Sequence, residues 1–265
     1  MDNGICEQKL EKLVNILGSK YSTTLTFNST CSEFTTRFPI PLNLLQDYNY
    51  EIGLTWFTVY NSIFNVTTDN NKFSIKSLVS NKNETKNIEI SPGAYELSVL
   101  FDVIYKLVYI ALGLKEVDGK KPPGPLKLEV DLPTLKTRMI VENKHEIIFG
   151  ESSIGALIGY NPGKYVETTI SQNIINISNV TSINLLCDLV QGTYQDGKLT
   201  NCLYNFPTGT VPSGYKITQM INTPIYLPII NNIISSISFK IVDQNNNLLN
   251  FNGETISFSC HLKQV

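Results

Sequence analysis

The stretch Ile234–Lys263, ISSISFKIVDQNNNLLNFNGETISFSCHLK, decides the fold class. Ile237, Phe239 and Ile241 alternate with Ser236, Ser238 and Lys240. After an Asn-rich segment, Ile256, Phe258, Cys260 and Leu262 alternate with Thr255, Ser257, Ser259, His261 and Lys263. A period of two puts one set on a buried face and the other on a wet face. The reading is two half-buried antiparallel strands joined by an Asn-rich loop.

Working outward from there, the same signal recurs in shorter pieces. Ser22–Phe27 and Glu33–Phe38 are β-like runs, the second closed by Pro39 and Pro41. Tyr50–Tyr60 (YEIGLTWFTVY) is the strongest strand of the first half. Its alternation sets Ile52, Leu54, Trp56 and Thr58 against Glu51, Gly53, Thr55 and Phe57, and it blurs toward the end, as a strand covered on both faces would. Asp69–Asn71 reads as a turn and Asn81–Thr85 as a polar loop. Extended segments follow at Leu126–Val130, Leu135–Val141, His145–Phe149, Ile174–Ile177, Ser182–Val190 and Tyr215–Ile221. Many short strands with turn signals between them predict a mainly β chain, a sandwich or jelly roll.

One long helix interrupts this pattern. Ser91 suits an N-cap and Pro92 a first helical position. Leu97, Leu100, Phe101, Ile104, Leu107, Val108, Ala111 and Leu112 then form a broad stripe ending at Gly113. So wide a stripe predicts a helix buried under a sheet. Ile154–Tyr160 (IGALIGY) reads as one apolar helical turn. Lys120–Pro125 (KKPPGP) is the sharpest break, and Asn161-Pro162-Gly163 is a second. The organisation predicted is one elaborated sandwich over residues 21–265. An α/β insertion or lobe spans about 91–160, and a β-rich part covers 165–265. Residues 1–20 precede it, with Cys6, Leu10, Leu13, Val14 and Leu17 on one helical stripe and Glu7, Glu11, Lys12 and Asn15 off it. Such a helix packs on its own domain or serves as an arm. In the second case Leu10, Leu13, Val14 and Leu17 are the candidate self-association residues.

Composition narrows the function. The chain has 265 residues, 17% charged, with 21 Lys+Arg against 23 Asp+Glu and a net charge of −2. With about a quarter charged as the usual share, this one is sparsely charged. The balance and the lack of a basic block argue against a general nucleic-acid binder. Abundant aliphatic and aromatic residues argue against disorder. Asparagine is in excess, with 28 copies, so the five N-x-S/T sequons at Asn28, Asn65, Asn83, Asn176 and Asn179 are what chance supplies. Charges in Met1–Lys20 stand where a secretory signal needs an apolar core, and no uncharged apolar run reaches about 18 residues, so neither a signal nor a membrane span is expected. Cys6, Cys31, Cys187, Cys202 and Cys260 are odd in number and scattered, which favours buried free thiols, with a Cys187–Cys202 pairing as the alternative.

No catalytic motif is present. His145 and His261 are the two histidines, and GxSxG, HExxH and GxGxxG are all missing. Gly113–Lys120 only approaches a phosphate loop, with five residues between its glycines and Lys121 where Ser or Thr belongs. Asp243, Asn245, Asn247 and Glu254 fall at positions 1, 3, 5 and 12 of a calcium loop. Position 6 is Leu248 and the flanks are strands, so Asx-turn chemistry is the preferred reading. No cofactor and no catalytic residue is expected.

Several segments, taken in order, carry a family resemblance. They are EFTTRFPIPLNL (Glu33–Leu44), YEIGLTWFTVYNSIFNV (Tyr50–Val66), ISPGAYELSVLFDVI (Ile90–Ile104), HEIIFGESSIGALIGY (His145–Tyr160), INLLCDLVQGTY (Ile183–Tyr194) and the closing stretch quoted above. Over most of the chain after about Tyr21, this order resembles the penton-type minor capsid protein of Polinton (Maverick) elements and adintovirus-like DNA viruses. The resemblance implies a jelly-roll capsid domain and a homopentamer closing five-fold vertices of an icosahedral shell. It also implies a major capsid protein as partner, a place in the virion, and no catalytic residues. The rival is a jelly-roll receptor- or carbohydrate-binding module, for which Tyr194, Tyr204 and Phe206 are the candidate loop aromatics. A metal-dependent enzyme ranks third.

Overall fold

The computed structural model describes residues 21–78, 84–114, 124–142, 144–178, 180–195, 197–209 and 211–265. The stripe Leu10, Leu13, Val14 and Leu17 lies outside these residues, as does most of the KKPPGP break. The chain divides into two compact units. One takes the residues up to Ser62 together with Val180–Val265; the other is Ile63–Asn179.

The first unit is built from β1 (Ser22–Ser29), β2 (Glu33–Asn43), β3 (Tyr50–Tyr60) and the later strands of the chain. The second unit supplies β4 (Lys72–Ser77), β5 (Thr85–Glu89), α1 (Leu97–Ala111), β6 (Leu126–Asp131), β7 (Lys136–Val141), β8 (His145–Phe149), β9 (Gly163–Tyr165) and β10 (Thr169–Ile170). The chain then returns with β11 (Ser182–Cys187), β12 (Thr193–Gln195), β13 (Lys198–Thr200), β14 (Cys202–Pro207), β15 (Lys216–Met220), β16 (Leu227–Pro228), β17 (Ile233–Val242) and β18 (Ile256–Gln264).

Eight strands of the first unit form two antiparallel sheets. One runs β1-β18-β3-β15, with β16 also on β3; the other runs β14-β11-β17-β2. Along the chain these strands change sheet at every step except β11 to β14. Two four-stranded sheets wound in this way are a jelly roll. The second unit is an insertion between β3 and β11.

The period-two reading of the closing stretch holds for its apolar set, while Ser259 of the polar set is buried as well. Ile237, Phe239, Ile241, Ile256, Phe258, Cys260 and Leu262 are all fully buried. The two strands do not pair with each other, however. β17 bonds to β11 and β2, whereas β18 bonds to β1 and β3. They face each other across the core, where the Phe239 and Phe258 rings meet edge to face at 4.9 Å. Phe27, Phe57 and Phe258 from one sheet interleave with Phe34, Phe206 and Phe239 from the other. The Asn-rich segment is therefore a connection between sheets.

β3 shows why its alternation blurs. Ser259 pairs with Trp56 but Cys260 pairs with Leu54, so Thr55 is an extra residue in the ladder. The Thr55 hydroxyl donates to the Ser259 carbonyl at 2.9 Å. Such a bulge reverses the facing of everything beyond it. Ile52 and Leu54 point inward before it; Phe57 and Val59 do so after it, all at most 2% exposed. The expected inward set of Ile52, Leu54, Trp56 and Thr58 is thus right for its first half and inverted for its second. A bulge, rather than cover on both faces, is the cause.

The second unit has its own core. A four-stranded sheet, β5-β4-β8-β9, and a three-stranded one, β10-β7-β6, enclose Ile75, Ile90, Met139, Ile147, Ile154 and Ile158. α1 packs on β5 and β6 through Leu100, Phe101, Ile104 and Val108. IGALIGY, expected as one apolar helical turn, holds a 3-10 turn at Ile154–Ala156, but Ile174–Ile177 is irregular, held by single bonds such as Ile175 N–H to the Leu135 carbonyl at 2.9 Å. The insertion lies wholly around the 91–160 segment and adds β4, β5 and residues 161–179 to it.

The helix begins later than its sequence suggests. Its N-cap is Glu96, with no side-chain cap, and Ser91–Tyr95 is not helical, with a bend at Pro92 and a single bridge at Gly93. Gly93 exchanges both backbone hydrogen bonds with Val66, at 2.9 and 3.1 Å. Asn65 takes the Tyr95 N–H on its Oδ1 at 2.9 Å and donates through Nδ2 to the Tyr95 carbonyl at 2.8 Å. With those groups engaged, the turn that Ser91 and Pro92 favour locally cannot form. The C-terminal end behaves as read: Gly113, at φ +64, donates to Ile110, and Leu114 donates to Tyr109, which is a Schellman cap. Asn65→Ala is expected to cost about 1–3 kcal/mol, because it leaves the Tyr95 groups unpaired. Urea titration with hydrogen exchange at residues 93–96 checks this, and faster exchange there is the local sign.

Candidate functional site

The nearest approach to a catalytic constellation lies on the first sheet. His261, on the polar side of β18, has Ser22 Oγ 2.7 Å from its Nε2 and Tyr226 Oη 2.8 Å from its Nδ1. A hydroxyl, an imidazole and an orienting group in that order resemble a nucleophile–base relay. Ser22 belongs to edge strand β1 and is exposed, where water screens any charge that develops. A relay also needs donors preorganised in a water-excluded site, and an open strand edge is the opposite environment.

The neighbouring residues show what this cluster does. The segment Pro224–Tyr226 crosses Gly53, whose missing Cβ would stand 2.8 Å from the Ile225 carbonyl oxygen and 3.3 Å from Pro224 Cβ. Lys263 Nζ lies 3.7 Å from the centre of the Tyr226 ring and 3.7 Å from Glu51 Oε2. The strap before β16 is therefore clasped to the sheet by Tyr226, His261 and Lys263 over a position that only glycine fits. Gly53→Ala is expected to lift the strap and cost about 1–3 kcal/mol. Limited proteolysis within residues 221–229, faster in the variant at equal temperature, checks it. The sequence carries Ser22, Tyr226 and His261 too far apart for spacing to reveal them; sheet register alone joins them.

The calcium-loop candidates close on themselves. Asp243 Oδ1 accepts the N–H groups of Asn245 and Asn247, each at 2.8 Å, and its Oδ2 accepts Asn247 Nδ2 at 3.0 Å. That is the Asx-type turn preferred from the sequence. Asn184, buried in β11, donates to the Asp243 carbonyl at 3.0 Å and ties the loop to the sheet. Among the described residues, no three His, Cys, Asp or Glu side chains gather as a metal would need.

The cysteines carry no reactive character in the core. Cys187, Cys202 and Cys260 are buried free thiols, and Cys202 stands opposite Leu186; Cys31 is free but exposed, against the expectation of burial. Burial pushes the Cys187 thiol up to about 12, and it raises Cys202 as well. Cys260 is raised well above its ordinary value by burial and then by the Cys187 thiol beside it. The aromatic candidates also separate. Phe206 is core, 4.9 Å from Phe57; Tyr204 is half-buried; Tyr194, on the β12–β13 hairpin, is 70% exposed. They do not form one exposed platform.

In the second unit a cavity of about 850 Å³ opens between α1 and the β6–β7 pair. Tyr105, Tyr109 and Ile140 line it, with Lys106, Lys127 and Glu142 at its polar positions. Tyr105 Oη donates to the Leu128 carbonyl at 2.7 Å, so it fastens helix to strand; burial pushes its pKa up and keeps the hydroxyl protonated. Tyr160 is raised for the same reason, with its hydroxyl between the Thr137 and Thr169 carbonyls at 2.9 and 2.8 Å. No described helix is long and apolar enough to cross a membrane.

No family model matches the sequence, and no curated protein does. Among solved structures, the chain is similar to the mavirus penton protein, with a TM-score of 0.52 at 10% identity, over 93% of this chain and 100% of that one. The likeness takes in the inserted unit as well as the sandwich, so the chain has the fold of a penton protein.

Proposed function

We propose that this chain is a penton-type capsid protein. It closes five-fold vertices as a homopentamer, beside a major capsid protein, in the virion. The observation that supports this most is the whole-length match of an eight-stranded jelly roll with its β3–β11 insertion to a penton protein. The side-chain chemistry agrees with a protein that acts by assembly. The Ser22–His261–Tyr226 cluster clasps a strap, the thiols of Cys187, Cys202 and Cys260 are buried, and Asp243 caps its own loop. A surface poor in charge and rich in Asn, Ser and Thr allows wet, hydrogen-bonded contacts with little charge to desolvate. A head-to-tail contact closes into a ring when its rotation is one-fifth of a turn.

Mass photometry of the purified chain tests this reading. Five copies of 29.7 kDa, about 150 kDa, is the expected species. A single species at the monomer mass across the accessible concentration range contradicts it.

A further inference from the structure

The sheet β1-β18-β3-β15 ends in two open edges. The Tyr21 carbonyl accepts the Gln264 N–H of β18 at 2.8 Å, so the odd-numbered residues of β1 turn their backbone groups toward β18. Ser22, Thr24, Thr26 and Asn28 turn theirs outward. On the far side, the Tyr215 carbonyl accepts the Asn61 N–H at 2.8 Å, and the Ile221 N–H reaches the Thr55 carbonyl at 2.9 Å. By the same alternation, Lys216, Thr218 and Met220 face outward from β15. Among the described residues, no hydrogen bond reaches these outward backbone groups.

Their side chains leave the edges clear. Ser22 Oγ lies 2.7 Å from His261 Nε2, Ser257 Oγ donates to Asn28 Oδ1 at 2.6 Å, and Thr26 Oγ1 reaches Ser259 Oγ at 3.5 Å. At the other edge, Thr218 Oγ1 is 3.1 Å from Thr58 Oγ1, and Lys216 Nζ lies 5.1 Å from the centre of the Tyr60 ring. All of these lean back over the sheet. Sheets usually guard an open edge with charge, proline or a bulge. β2 in the other sheet has all three: Glu33 and Arg37, Pro39 and Pro41, and a register jump against β17. β14 ends in Pro207. β1, STTLTFNS, has no charge, no proline and an unbroken register, and β15 carries only Lys216. Such an edge fits one kind of ligand, an extended strand whose N–H and C=O groups repeat at the same spacing.

The sheet's own geometry points to the source of that strand. Each strand is antiparallel to the next, so with four strands the two edges run in opposite directions. Rotation about an axis along the strands keeps those directions, and it brings β15 of one copy antiparallel to β1 of the next. Lys216 is the single charge in the two strands, so no like charges meet. Tyr215 and Met220, 66% and 69% exposed at the two ends of β15, gain cover in such a contact. A two-fold pairing of β1 with β1 leaves the β15 edge open and closes no ring.

We propose that neighbouring copies join edge to edge, with β1 of one pairing antiparallel to β15 of the next. This rests on the five-fold reading above and names its contact.

Mass photometry of the full chain tests it, with protection of the β18 amides from exchange as the check on folding. Thr26→Pro removes an outward N–H from β1, and Thr218→Pro removes one from β15. A proline whose missing N–H faces outward leaves the ladder inside the sheet intact. Each variant alone is expected to be monomeric where the unaltered chain forms rings. Mixed, they are expected to give a heterodimer and nothing larger, because one intact β1 and one intact β15 remain to meet. Rings from either variant with β18 still protected, dimers of Thr218→Pro alone, or a mixture that stays monomeric overturn the proposal while the five-fold reading stands. An unaltered chain that is itself monomeric overturns both. Where a proline variant loses β18 protection, Thr26→Lys decides, since it keeps every backbone group and adds a charge to the edge. It is expected to raise the concentration at which rings half-form by about ten-fold or more. An unchanged midpoint overturns the proposal.

Discussion

Phe258→Ala is expected to cost about 3–5 kcal/mol of folding stability, the range for removing a fully buried Phe. Phe258 is 0% exposed and its ring lies within 4.9–6.1 Å of four others, Phe27, Phe34, Phe57 and Phe239. Phe27 and Phe57 come from the strands that adjoin β18, and Phe34 and Phe239 from the other sheet, so the cavity left behind would sit where the two layers meet. Aromatic pairs add about 0.5–1.5 kcal/mol each beyond burial, and losing several puts the effect at the upper end. Trp56, the single tryptophan, pairs with Ser259 in the neighbouring strand and reports on this unit. Urea unfolding followed by its fluorescence checks the value. A loss under about 1 kcal/mol would mean that the site relaxes around the smaller side chain.

Gly159→Ala is expected to cost about 2–5 kcal/mol, confined to the inserted unit. Gly159 has φ +87, which costs an L-residue about 1–2 kcal/mol. An added Cβ would also stand 2.3 Å from the Asn173 carbonyl oxygen, and relieving such overpacking costs about 1–3 kcal/mol more. The neighbouring bonds make the damage spread. The Asn173 N–H donates to the Gly159 carbonyl at 2.9 Å, Ser171 Oγ to the Asn173 carbonyl at 2.8 Å, and the Thr137 N–H to Ser171 Oγ at 3.0 Å. Displacing residue 173 therefore loosens the hold on β7. Exchange at residues 147–165 is expected to accelerate, while the Trp56 signal keeps its midpoint. Equal losses in both units would show that they unfold together.

How far these features could be read from the sequence depends on the range over which each is decided. The faces of β17 and β18 are set by neighbours two residues apart, so Ile237 to Leu262 could be assigned one by one. Which sheet each strand joins is decided by partners such as Leu25 for Cys260 and Phe34 for Phe239, more than 200 residues away. Both sheets have the same period, so alternation leaves the choice open. The bulge at Thr55 is likewise set by register with β18, and it inverted half of β3. At the start of α1, local capping by Ser91 and Pro92 competes with Asn65, thirty residues earlier, and Asn65 prevails. The insertion begins at Ile63 and ends at Asn179, where composition does not change; the conspicuous breaks at KKPPGP and Asn161-Pro162-Gly163 fall inside it. The Ser22–His261–Tyr226 clasp was hidden for the same reason as the sheet order.

Class averages of the purified chain, imaged by electron microscopy, test the central claim most directly. The account predicts five-fold rings with a jelly roll in each lobe. Particles of monomer size, or closed rings of another symmetry, would contradict it.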